Sequence, residues 1–391
     1  MGYDKPQDKV ARPALAADRL VSLDAYRGFV MLAMVSGGLG LGHLLKDPTW
    51  GRIADQFSHR EWVGCTFWDL IQPSFMFIVG VAMPFAFARR RQQGDSWGRQ
   101  FAHAVQRALL LVLIGIFLDS IRHPAPEIQF IRVLQQIAVG YLIAFLVLHR
   151  GPLVQAATAV LLLAGHTLAF EWYGRAAGVD PWAPKVNVGA ALDGWMHAHL
   201  TAAVNALHQA LFHSDCAVSI WPVSSGNYVT LNAVSSAATI LFGVLCGELL
   251  RGGWSRQAKL AVLLLAGTGG LLLGWGLSFP VPLVKRIWTA SFGVYAAGWT
   301  FLMIFAFYLL IDVIGWRHWA FPFVVVGMNS IAIYVSAGVL SPVIRECLKP
   351  FTERPLSYVP LAAPVVVALL VVAVQWLLCY WLYRQRIFFR V

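Results

Sequence analysis

The sequence predicts an all-α polytopic membrane bundle of about ten transmembrane helices with both termini in the cytoplasm. Three observations carry that prediction. Of 391 residues, 58% are hydrophobic and 13% charged, and the mean hydropathy is +0.65. An ordinary soluble domain is nearer one quarter charged. Ten apolar runs are each close to the ~20 residues that cross a hydrocarbon core as a helix. Lys and Arg collect at the ends of those runs, so the net charge of +11 is read as a topology signal rather than a nucleic-acid footprint.

In chain order, residues 1–19 form a polar arm without the short apolar run and small-residue cleavage site of a signal peptide. The single transmembrane domain then occupies 20–391, with runs at about 25–45, 66–88, 104–122, 129–148, 153–171, 229–250, 258–278, 289–313, 320–340 and 358–383. With the N-terminus inside, inner segments hold 17 Lys and Arg and outer loops 11, which places both ends of the chain in the cytoplasm. The strongest element of that bias is Arg89-Arg90-Arg91. Segment 172–228 separates two blocks of five runs. Within it, Leu192, Trp195, Met196, Leu200, Ala203, Leu207 and Leu211 recur at helical spacing, predicting an amphipathic helix on the outer surface. The histidines there lack a compact ligand motif, and the five cysteines have no metal or redox spacing, so no metal is expected. The last run ends in alternating basic and aromatic residues, Tyr383 to Arg390, that suit the inner headgroup layer.

Polar residues inside apolar runs are costly and mark candidate sites. The most informative stretch is His59 to Gly80, HREWVGCTFWDLIQPSFMFIVG, where a histidine precedes a run that carries Asp69. Asp69, Gln72, Pro73, Met76 and Gly80 share one helical face, expected to line the bundle interior. His59 titrates near neutral pH and suits general-base or nucleophilic work, although a loop histidine is often simply solvated. In the first run, Asp24 and Arg27 stand one turn apart. They read either as an ion pair fixing the helix end or as a presentation of Arg27 to a phosphate or carboxylate. Gly38 and Gly42 have small-xxx-small spacing and are expected at a close helix contact. Arg132, Gln135 and Gln136 stack a cation and two amides near the outer boundary, and Asn329 sits in Gly327-Met328-Asn329-Ser330. Such amides either hold helices together or orient a substrate carbonyl. Lys285 and Arg286, ahead of the eighth run, either bind an anionic ligand or mark the boundary.

Taken together, these segments resemble the heparan-alpha-glucosaminide N-acetyltransferase family of transmembrane acyltransferases over nearly all of 19–391. The resemblance rests on RLVSLDAYRG, the His59 to Gly80 block, VLQQ, GMNSIAIY and the RIF ending, in that order. It implies a multi-pass enzyme of a bacterial inner membrane that moves an acetyl group from cytoplasmic acetyl-CoA to an amino sugar or other glycan on the periplasmic side. His59 takes the place of the family's proposed catalytic histidine, and Gln135 and Asn329 also match family positions. Two departures stand out. Asn227-Tyr228-Val229-Thr230 replaces an acidic DPEG motif ahead of the sixth run, and Gln136 replaces an arginine. The sites expected are therefore His59 and Asp69 for catalysis, with Asp24, Arg27, Arg132, Gln135, Gln136, Lys285 and Asn329 for substrate or acyl-CoA. Membrane lipids and a second copy of the chain are further expected partners. The alternative is a transporter or flippase of a lipid-linked or sugar substrate, with no covalent step. Release of thiol from acetyl-CoA discriminates the two.

Overall fold

A computed structural model describes residues 20–121, 123, 126–212, 219–220 and 226–389. The expected N-terminal arm, Cys216 and His213 lie outside the described residues. The order of helices is α1 (Val21–Val35), α2 (Gly51–Gln56), α3 (Ile71–Gln92), α4 (Trp97–Ser120), α5 (Val133–Val147), α6 (Pro152–Ala177) and α7 (Val188–Phe212), followed by α8 (Asn232–Arg251), α9 (Arg256–Leu277), α10 (Ala290–Phe307), α11 (Phe321–Gly327), α12 (Ser330–Leu356) and α13 (Ala363–Arg384). The described strands are β1 (Glu127–Ile128) and β2 (Ser219–Ile220), which pair in parallel. The chain is thus an all-α polytopic bundle. Among the described residues, eight helices are long and apolar enough to cross a membrane.

Three of the predicted runs differ in form. The first is an α-helix of 15 residues continued by a 3-10 segment, Gly37–Leu44. The fourth, α5, is apolar but 15 residues long. The ninth, expected at 320–340, is broken: α11 stops at Gly327, Asn329 leaves helical geometry at φ −126° and ψ 38°, and α12 runs from Ser330 to Leu356. Hydropathy missed the break because Gly327 and Met328 are themselves apolar. α7 supplies the helix expected within 172–228.

α3 and α8 form the centre, each with 72% of its apolar window buried. They meet through glycine. A Cβ at Gly80 would run into the Ile240 carbonyl, one at Gly243 into that of Phe77, and one at Gly247 into that of Val81. In a membrane, where lipid is as apolar as leucine, such close backbone approach supplies the packing that holds helices together. α1 meets α11 in the same way, Gly28 against Phe323 and Gly327 against Asp24. The glycines singled out by spacing do something else. Gly38 adopts φ 74° in a left-handed turn with Leu39 and Gly40 and lies so close to the Phe57 carbonyl that a Cβ would collide with it, whereas Gly42 faces open space. Gly38 thus helps to end α1 and turn the chain beside a loop carbonyl rather than at a contact between long helices.

Candidate functional site

Two loops make the site. The segment from Ser58 to Phe67 leads into α3, and the segment from Ser278 to Thr289 joins α9 to α10. They are stitched together by an isolated antiparallel bridge between Val63 and Val284 and by the Gly64 amide donating to the Leu283 carbonyl at 2.8 Å. The second loop is held from within. Thr289 Oγ1 lies 3.0 Å from the Val284 amide and 2.8 Å from the Pro282 carbonyl, while Ser291 Oγ donates to that same carbonyl. Neither loop depends on helix propensity for its shape.

Between them Asp69 is buried, its side chain 1% exposed, and five polar groups surround it. Oδ2 faces the backbone amides of Arg60 and Thr66, both at 3.2 Å, and Thr66 Oγ1 at 3.1 Å. The Thr66 hydroxyl also stands 2.7 Å from the Ser58 carbonyl, so its single proton serves one of the two acceptors at a time. Oδ1 faces His59 Nδ1 at 2.7 Å and Lys285 Nζ at 3.3 Å. A carboxylate contact that short requires a proton on Nδ1. In the neutral ring the other nitrogen, Nε2, then carries the lone pair, on a side chain that is 45% exposed. The result is a base whose orientation is fixed from behind and whose reactive atom faces outward.

Lys285 is the partner that the intramembrane carboxylate demands. Its side chain is 7% exposed. Burial pushes the ammonium below its ordinary value of 10.5, and the Asp69 charge and hydrogen bond partly restore it. Cys65, next to the cluster, is pushed up to about 12 by burial and by Asp69, so its thiol is protonated and unreactive at neutral pH. Arg60 contributes its amide to Asp69, while its guanidinium grips Asp55 at 3.0 and 3.1 Å.

A second layer of amides supports this one. Gln72 Nε2 donates to Gln136 Oε1 at 2.7 Å, Gln136 Nε2 donates to Asn232 Oδ1 at 2.7 Å, and Asn232 Nδ2 donates to the Arg286 carbonyl at 3.2 Å. The starts of α3, α5 and α8 are thereby tied to the loop that carries Lys285. Beside it, Asp119 accepts from Arg132 Nε and from Gln135 Nε2, each at 3.1 Å. The Arg286 guanidinium rests over the Tyr228 ring, 5.7 Å from its centroid, and donates to the Gly226 carbonyl.

The residues singled out in the sequence therefore divide. His59, Asp69 and Lys285 meet directly, Gln136 backs them, and Arg132 with Gln135 forms the neighbouring Asp119 cluster. The others lie elsewhere. Asp24 and Arg27 face each other at 3.6 Å on the first turns of α1, whose Ser22 amide is tied to Asp312, the far end of α10 from Lys285. The 24 residues from Thr289 to Asp312 span about 35 Å as helix. Asn329, fully buried, donates to the Ile387 carbonyl and accepts from the Phe389 amide, both at 3.1 Å, clasping the C-terminal tail. Pro73 falls in the first turn of α3, where a missing N–H is well tolerated. Sequence reading missed Thr66, Asn232 and Asp119. The available signal was the need of a buried carboxylate and buried amides for partners.

The model of the heparan-alpha-glucosaminide N-acetyltransferase catalytic domain matches residues 19–209, which include His59 and Asp69. The chain is also 23% identical to mouse heparan-alpha-glucosaminide N-acetyltransferase over 96% of its length, and 24% identical to the human protein of that name over 95%. Over residues 19–209 the chain is thus similar to the catalytic domain of that family. It spans 61% of the mouse protein and 60% of the human one. The stretch matched by the heparan-alpha-glucosaminide N-acetyltransferase model stops short of Asn232, Lys285 and Arg286, so the cluster is completed by residues from beyond it.

Proposed function

We propose that this integral, multi-pass membrane protein is an acyltransferase that moves an acetyl group from acetyl-CoA to an amino sugar or other glycan acceptor. The observation that supports it best is the His59–Asp69 contact at 2.7 Å, which commits Nδ1 and leaves Nε2 as a free base at a half-exposed position. That arrangement serves either of two routes. As a nucleophile, Nε2 attacks the thioester carbonyl, the C–S bond breaks, and CoA leaves as thiolate and takes a proton. The acceptor amine or hydroxyl then attacks the acetyl-imidazole, loses its proton and releases neutral His59. As a general base, Nε2 instead takes the acceptor's proton while the acceptor attacks the thioester directly; the C–S bond breaks and the leaving CoA thiolate takes that proton, returning neutral His59. In both routes the fixed Asp69 carboxylate holds the tautomer and stabilises charge that develops on the ring.

The name of the mouse and human relatives supports glucosamine as the acceptor, and the basic inner segments support a donor supplied from the cytoplasm with both termini on that side. The acceptor then lies on the periplasmic side of a bacterial inner membrane. At the end of the bundle where α3 and α8 finish, Arg91, His149, Glu248 and Arg251 line a cavity of about 360 Å³, a cationic surface suited to the donor's phosphates. The test is thiol release from acetyl-CoA by purified protein, with and without amino sugars, in the intact protein and in His59→Ala. Release that needs His59 supports the assignment. Binding without release in both proteins transfers the weight to transport of a sugar.

A further inference from the structure

We infer that Lys285 is a positioning residue which keeps His59 neutral, so that Nε2 is available as a base or nucleophile on the acid side of neutrality. The inference deepens the acyltransferase reading of this site and rests on it for its purpose, though not for its test.

An Asp–His pair left to itself favours the doubly protonated ring, because the carboxylate charge is satisfied best by an imidazolium. An imidazolium has no lone pair at Nε2 and is inert toward a thioester or an acceptor proton. The geometry around Asp69 opposes that outcome. Lys285 Nζ shares Oδ1 with the imidazole, 3.3 Å from the carboxylate oxygen and 3.2 Å from His59 Nδ1 itself. Since Nδ1 already carries the proton given to Asp69, it offers Lys285 no acceptor, and the second distance is a juxtaposition of a cation with an N–H. The ammonium neutralises the carboxylate and places its own charge against the ring. A second proton on His59 would therefore put two cations on one carboxylate oxygen in a buried site.

Among the described residues, the charged and titratable groups facing the cluster are Asp69, Lys285, Cys65, Tyr228, Arg60 and Arg286, and none but Lys285 supplies that effect. The Arg60 guanidinium is committed to Asp55, and Arg286 to Gly226 and the Tyr228 ring. Cys65 is protonated. Trp68 contributes an apolar wall, its ring 6.4 Å from that of His59. Lys285 is also held firmly, since Val284 and Thr289 on either side of it are locked into the loop.

The experiment measures the charge of His59 without relying on acetyl transfer. Diethylpyrocarbonate acylates neutral imidazole, and mass spectrometry of the peptide containing His59 gives its modification rate as a function of pH. In the intact protein the rate should persist down to mildly acidic pH. In Lys285→Met, which keeps chain length and removes charge, the pH at which the rate is halved should rise by about one unit, a roughly tenfold slower modification on the acid side. Lys285→Arg should restore the intact profile, which a merely structural role would not require. Thermal unfolding of each purified variant identifies any that has lost its fold, and Lys285→Gln serves in place of a misfolded Lys285→Met. An unchanged profile in a folded, charge-free variant overturns the proposal. If the profile shifts but no variant, nor the intact protein, releases thiol from acetyl-CoA, the proposal stands and the acyltransferase reading falls.

Discussion

The two ends of the helical span from Ala290 to Val313 lie near the two main groups of polar residues singled out in the sequence, and these are built on opposite plans. At the Lys285 end, Asp69 is surrounded by five polar groups, yet the cluster leaves one ring nitrogen of His59 facing outward. At the Asp312 end, Asn329 is fully buried with both ends of its amide spent on the tail backbone. A saturated network with one open valence can do chemistry. A saturated network with none is glue, and intramembrane polarity alone does not tell the two apart.

The largest break in this comparison should come from His59→Ala. Transfer should fall by about 10³-fold, within the range that a lost general base or nucleophile costs. Stability should drop by only about 1 kcal/mol, the net worth of one hydrogen bond on a half-exposed residue. Thiol release and thermal melting of the same sample check both halves. Next comes Asp69→Asn, which leaves Lys285 buried without its counter-ion. It should cost about 3–5 kcal/mol of stability and reduce turnover by about 10²-fold, and an unaltered turnover would make Asp69 purely structural. Asn329→Ala should show the reverse balance. It leaves the Phe389 amide without its acceptor and costs about 1–3 kcal/mol, while specific activity of the folded protein changes less than twofold.

The smallest effect is in the alkaline range. Burial holds the Lys285 pKa below 10.5 in the folded protein, whereas the unfolded chain titrates near that value. Between the lowered value and 10.5 the unfolded state binds more protons, so this group makes stability rise with pH across that window. Across that range melting curves should show the intact protein gaining stability with pH relative to Lys285→Met, which lacks the titrating group.

Much of the architecture was legible because hydropathy is local. α3, α8, α9 and α13 are continuous apolar runs, and the eye needs about 20 residues to see each one. The site was half legible for the same reason. Asp69 draws attention wherever it is buried, and His59 is only ten positions away. Lys285 is 216 positions away, and nothing near it in the chain says whether it marks a boundary or completes a cluster. The break at Asn329 was hidden because it interrupts hydrogen bonding without interrupting hydropathy. The glycines misled in an instructive way: Gly38 and Gly42 have the right spacing, but spacing cannot show that the chain turns at Gly38 in the left-handed region or that Gly42 faces open space. The glycines that do bring helices together, Gly80 with Gly243 and Gly28 with Gly327, are paired across the fold rather than along the sequence.

The bridge between Val63 and Val284 also orders events in time. A ribosome that has released 250 residues has made His59, Asp69 and both central helices, yet the loop that pins the histidine and supplies the lysine does not exist. Until residue 289 emerges, the carboxylate has no Lys285 counter-charge, and helices α1 to α9 form a scaffold without a working centre. The portion most easily related to other proteins by sequence is thus not the portion that could act alone.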